Sequence, residues 1–275
     1  MKSVLAVADG GPASEAIMLA AGYAAGLCKG QVDVMHVRDA LAINETAPAA
    51  FMIEGATEAI IEEGEHTASE RAARTIQIYE RLAPKLPKPR YVEFAGDEAE
   101  VVIARGRVAD LIVVGRPGSD PVKPEPAHVP AAIFECARPV IVVPPTWRPQ
   151  ALQHALIAWN GSSQAARAIG YSLPLLQQAA TVTVMAPAGD DSVDSAELVE
   201  YLDRNAVKAT AIEFEIGAGS ARTRGKALLR EVEQVGADLL VMGAYGQQGI
   251  LRFLGLGGAT GKVISACKVP VLLAH

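Results

Sequence analysis

Six glycines fall within the eighteen residues Gly243-Ala244-Tyr245-Gly246-Gln247-Gln248-Gly249-Ile250-Leu251-Arg252-Phe253-Leu254-Gly255-Leu256-Gly257-Gly258-Ala259-Thr260. A backbone without Cβ atoms presents its N–H groups to phosphate oxygens, and a helix opening near Ala259 would add the positive end of its dipole. The chemistry expected of such a run is anion binding, although glycines also serve turns and close packing. Two standard phosphate motifs fail here. A P-loop needs a glycine at Leu256 and a hydroxyl at Val263 beside Gly261-Lys262, and a dinucleotide fingerprint belongs after a first strand. Bond-making chemistry finds no support: there is no Gly-x-Ser-x-Gly elbow, and Ser162 and Ser163 have no evident partner base. His36, His66, His128, His154 and His275 show no paired metal-binding spacing, so they are expected to be packed or solvated singly. The acidic run Asp190, Asp191, Asp194, Glu197, Glu200 and Asp203 suits the start of a helix better than calcium. Neither a catalytic residue nor a metal site is expected.

An internal repeat supplies the elements that hold the glycine run. Val4-Leu5-Ala6-Val7-Ala8-Asp9-Gly10 is answered 151 positions later by Leu156-Ile157-Ala158-Trp159-Asn160-Gly161, each a buried strand closed by an Asx-Gly turn. Val32-Asp33-Val34-Met35-His36-Val37 corresponds to Val182-Thr183-Val184-Met185-Ala186-Pro187. Ala109-Asp110-Leu111-Ile112-Val113-Val114-Gly115 returns as Ala237-Asp238-Leu239-Leu240-Val241-Met242-Gly243 at an offset of 128, and Cys136-Ala137-Arg138-Pro139-Val140 as Cys267-Lys268-Val269-Pro270-Val271 at 131. The fall from 151 to 128 gives the first half 23 additional residues between its second and fourth strands. Residues 38–66 are their expected place, and Asp39 to Glu54 has the mixed pattern of a mobile flap.

Short β-branched runs alternate with segments of helical period, the signature of parallel βαβ units. Ser162 or Ser163 caps a helix with Ile169, Leu173 and Leu176 on one face; another starts near Ser220 and carries Leu228, Val232 and Val235. Asp97 and Glu100 form a capping box before Val101 and Ala104. The fold class expected is α/β, two tandem sandwich domains with five parallel strands each. The domains are residues 1–144 and 152–275, with a proline-rich linker over 145–151.

Charge narrows the partners. Twenty-five Lys+Arg against 31 Asp+Glu give a net charge of −6, without the basic footprint of a nucleic-acid or anionic-membrane binder. The longest apolar run, Ala16 to Cys28, falls well short of a bilayer-spanning helix, which needs ~20 residues. Three distant cysteines without a C-x-x-C pair and the lack of a secretory h-region point to a cytoplasmic protein.

The Asx-Gly turn after the first strand, the Gly-x-x-Gly opening after the fourth and the Cys-x-x-Pro-Val approach to the fifth resemble the universal stress protein family. Both halves carry this framework, so the resemblance implies a tandem member whose fold is akin to nucleotide-binding α/β folds. ATP-binding members carry G-x2-G-x9-G-[S/T] and an Asp after strand one near the nucleoside. Carried onto this chain, the motif falls on Gly243, Gly246, Gly257 and Gly258, followed by Ala259 and Thr260. Three departures stand out: ten residues separate Gly246 from Gly257, Gly258 lacks the hydroxyl, and Asn160 replaces Asp. The Asn160 amide is still able to accept a hydrogen bond from adenine or ribose. Pro187 and Met242 occupy positions that flank adenine in the family and equally serve core packing.

The first half keeps Asp9, but five prolines between 116 and 130 cannot form an N–H cradle. No nucleotide is expected there, and Asp9 is expected to serve its turn. The resemblance therefore implies a stress-response or regulatory protein binding ATP or a related adenine nucleotide, with Mg2+, in the second half. Ordering of Gly243 to Gly258 would shift an interaction surface between two states, with hydrolysis incidental. The competing class is a scaffold of the same fold that binds no nucleotide. The halves are expected to pack as a pseudo-dimer, with association of two chains into a homodimer as a further expectation.

Overall fold

A computed structural model describes residues 1–39, 56–117, 126–188, 194–214, 220–244 and 258–275. The first half runs β1 (Ser3–Val7), α1 (Ser14–Leu27), β2 (Gln31–Asp39), α2 (Ala56–Leu82), β3 (Pro89–Gly96), α3 (Glu98–Gly106), β4 (Leu111–Gly115), α4 (His128–Glu135) and β5 (Val140–Val143). The second half repeats the order with β6 (His154–Ala158), α5 (Ser163–Leu176), β7 (Thr181–Pro187), α6 (Ser195–Arg204), β8 (Ala209–Phe214), α7 (Ala221–Gln234), β9 (Leu239–Gly243), α8 (Ala259–Ala266) and β10 (Val271–Ala274).

The ten strands of the described residues form one sheet in the order β3-β2-β1-β4-β5-β10-β9-β6-β7-β8. Pairing is parallel within each half, as crossover helices require, and turns antiparallel at the seam, where Val271, Leu272 and Leu273 face Val142, Ile141 and Val140. The central strands are almost unbroken runs of Val, Ile and Leu because helices cover both faces. Alternation along β6 decides which face each residue meets: Ala155 and Ile157 join the core beneath α1 and α5, and Leu156 joins the core beneath α4, α7 and α8.

Local chemistry sets the element boundaries. Asp97, Ser162, Asp194 and Ser220 each accept a hydrogen bond from the first turn of the helix they precede, which satisfies otherwise orphaned N–H groups. The repeated Ala-Asp-Leu triplets also do matching work. Asp110 Oδ2 accepts from the backbone N–H of Lys2 and Ser3, and Asp238 Oδ2 from Gln153 and His154. Each carboxylate thereby holds the start of its half's first strand, and the Lys2 bond keeps the Asp110 pKa below the usual carboxylate value.

The expected extra segment is partly in view. Residues 40–55 lie outside the described residues, and so does most of the flap expected over Asp39 to Glu54. Asp39 itself ends β2, and the extension includes α2, 27 residues long against 10 for its counterpart α6. Among the described residues, no helix is long and apolar enough to cross a membrane.

Candidate functional site

Strand order reverses between β1 and β4 in the first half and between β6 and β9 in the second. Ligands of open α/β sheets settle beyond the carboxyl ends of strands at such points. The chain therefore offers two equivalent locations.

In the first half the location is filled by the protein itself. Gly10 has φ +74° and is buried, and a Cβ placed there would stand 2.3 Å from the Arg71 carbonyl oxygen of α2. Further along α2, Thr75 is buried with its hydroxyl donating to the Arg71 carbonyl, beside His36, whose Nδ1–H donates to the Ala8 carbonyl at 2.9 Å. Asp9 Oδ1 accepts from the Gly11 N–H at 2.9 Å. The same oxygen lies 3.3 Å from the Ser14 hydroxyl. Asp9 thus plays the turn role expected of it. At the start of α4, where an exogenous anion would sit in an open site, His128 is 4% exposed with its Nδ1 2.9 Å from Glu98 Oε1. The approach is off hydrogen-bond geometry, and the contact is an ion pair when the imidazole is protonated. Burial pulls the His128 pKa down, but the Glu98 carboxylate, with Asp9 behind it, outweighs burial and holds it above 6.5. His128 is thus packed, as expected, and its partner Glu98 lies on another helix, where spacing along the chain gives no sign of it.

At the equivalent location in the second half the turn after the first strand is exposed instead of buried. Gly161, with φ +69°, and Asn160 are exposed. Gly258 is the N-cap of α8 and contributes no side-chain cap, unlike the residues that open α5, α6 and α7. Among the described residues, a Cβ built on Gly258 would meet nothing nearer than the Thr260 nitrogen at 4.0 Å. Thr260 is buried just inside the helix, and Ala259 is its first residue. The donor set suits an anion: backbone N–H groups of an eight-residue helix with no acidic residue in its first turn.

The remaining expected site residues are placed unequally. Gly243 ends β9, and a Cβ there would come within 2.6 Å of the Ala165 nitrogen, so its glycine is required by the start of α5. Met242 is 8% exposed and belongs to the core beneath α7 and α8. Pro187, at the end of β7, is half-buried and pairs in register with Phe214. Asn160 departs from the acceptor role expected of it. Its Oδ1 already accepts from the Ser162 N–H at 3.2 Å. The Ser162 hydroxyl donates to the same oxygen at 2.7 Å. The amide N–H2 is therefore the part left to meet a ligand. Gly246 and Gly257 lie outside the described residues, as does most of the run expected to order on binding.

The description "Universal stress protein family" belongs to the family model that matches residues 151–275. The second half is similar to that family along its whole length. Across the whole chain, the universal stress protein of Archaeoglobus fulgidus DSM 4304 superposes with a TM-score of 0.67 at 17% identity, covering 99% of this chain and 95% of that one. A putative universal stress protein from Pseudomonas aeruginosa UCBPP-PA14 gives 0.58 at 14% identity, covering 100% and 93%. The cytoplasmic domain of a prokaryotic cation chloride cotransporter gives 0.50 at 11% identity, covering 99% and 94%. No curated protein sequence matches the chain. At these identities the structural likenesses establish the fold: two universal stress protein-like halves in tandem, as the repeat implies.

Proposed function

We propose that the second half binds an adenine nucleotide, ATP or a close relative with Mg2+, and that the protein acts as a stress-response regulator through this binding rather than as an enzyme. The observation that carries the reading is the start of α8 at Gly258, which has no side-chain cap, at the same switch point as the exposed Asn160-Gly161 turn. The amides opening α8 at Ala259 and Thr260 would hold phosphate, the Asn160 N–H2 would meet a ribose oxygen or a ring nitrogen of the base, and Pro187 would border the purine. Gly243 acts indirectly, by letting α5 seat against β9. The Mg2+ would serve to neutralise phosphate charge. No residue of the site is assigned to proton transfer or nucleophilic attack.

Thermal melting of the full chain with and without Mg-ATP tests this. A specific ligand at ~100 times its dissociation constant adds about 2.7 kcal/mol, and AMP, GTP and inorganic triphosphate separate base from phosphate recognition. An unchanged melting temperature at millimolar Mg-ATP would instead favour a scaffold of the same fold.

A further inference from the structure

The two halves meet at a pseudo-twofold seam, yet two side-chain contacts across it, Arg116 with Cys267 and Phe134 with His275, have no reciprocal counterparts. Arg116, the residue after β4, donates from Nη1 to the Cys267 carbonyl at 2.8 Å. That carbonyl belongs to the C-cap of α8, where a guanidinium meets the negative end of the helix dipole. Phe134 of α4 stands edge-on to the His275 ring, centroids 5.0 Å apart. His275 Nδ1 in turn donates to the Ala244 carbonyl at 3.1 Å, immediately after Gly243. One contact therefore seats the far end of the helix that opens at Gly258, and the other seats the exit of β9.

The reciprocal contacts cannot form. Aligning the equivalent elements, Ala244 takes the place of Arg116, Ser265 that of Phe134, Cys136 that of Cys267 and Pro144 that of His275. A methyl group cannot donate to the Cys136 carbonyl, and proline offers no N–H or aromatic ring. We propose that Arg116 and Phe134 of the first half are positioning residues for the second half's anion site. They act through α8 and through His275, so that the half which has filled its own location sets the geometry of the other. This rests on the nucleotide reading for its consequence, but its structural content is independent of any ligand.

The test uses the full chain without nucleotide and then with Mg-ATP. In Arg116→Ala, amide hydrogen exchange over Ala259–Ala266 should quicken about fivefold, while the equivalent helix His128–Glu135 exchanges as in the parent. Arg116→Lys should recover part of the protection, and Phe134→Ala should loosen Leu239–Gly243 and α8 together. The dissociation constant for Mg-ATP should rise by about the same fivefold in Arg116→Ala. Arg138→Ala serves as the control, because that guanidinium binds only the Arg107 carbonyl within the first half among the described contacts. Unchanged exchange in α8, or equal quickening of both helices, would overturn the proposal. Selective quickening in a protein whose parent ignores Mg-ATP would leave the positioning role standing and remove the nucleotide reading alone.

Discussion

The starts of α4 and α8 are the same place in two copies of one design. At the first, α2 lies over the Asp9-Gly10 turn and Glu98 brings a carboxylate to His128 beneath it. At the second, the turn is exposed and the helix opens on a bare glycine. In the first half the chain brings its own helix and its own carboxylate to the location.

The sharpest way to break this comparison is to place a methyl group in both turns. Gly10→Ala forces the 2.3 Å approach to Arg71 onto a residue at positive φ, and it should cost about 3 kcal/mol. Gly161→Ala, at an exposed turn with φ +69°, adds backbone strain of about 1 kcal/mol. Urea denaturation of both variants measures the gap, and equal losses would mean that α2 does not press on the first turn. The internal ion pair gives the next effect. Since the folded His128 pKa is raised, its contribution is complete below about pH 6.5 and disappears as pH climbs through the folded value. The melting temperature should therefore decline from pH 6 toward pH 9, and Glu98→Gln, about 2 kcal/mol less stable at pH 6, should flatten that decline. A smaller change sharpens the other side. Gly258→Ser restores a hydroxyl and should tighten Mg-ATP binding by about 1 kcal/mol, read by calorimetry, with only a few tenths from improved capping when nucleotide is absent. Least of all, the matched cysteines should behave alike. Burial pushes the Cys136 thiol up to about 11 and raises Cys267 as well. Burial raises the Cys28 thiol too, so access decides: iodoacetamide at neutral pH should label half-buried Cys28 before either, as mass spectrometry would show.

Much of the architecture was legible because it is written in short-range chemistry. The caps at Asp97, Ser162 and Ser220 follow from residue type, and the duplicated Ala-Asp-Leu triplets mark two aspartates with one task. What escaped is long-range or self-directed. Gly10 meets Arg71 through a helix whose placement no local pattern announces, and Arg116 reaches a carbonyl 151 positions away. Glu98 and His128 sit on separate helices. Asn160 was readable as an amide at the right turn, but not as one whose oxygen is already occupied by Ser162. The glycine at 243 shows the same limit: its type suits a ligand, whereas its surroundings demand it for packing.

The antiparallel junction of β5 with β10 also bears on how the molecule can be divided. Each of these four-residue strands is wholly apolar and buried, and each has the other as its hydrogen-bonding partner along one edge. A protease cut between Val143 and His154, followed by separation of the fragments, would bare an oily margin of unpaired amides and carbonyls on both pieces. Such margins recruit whatever strand is nearest. Either fragment made alone should therefore seek a substitute companion, most readily another copy of itself.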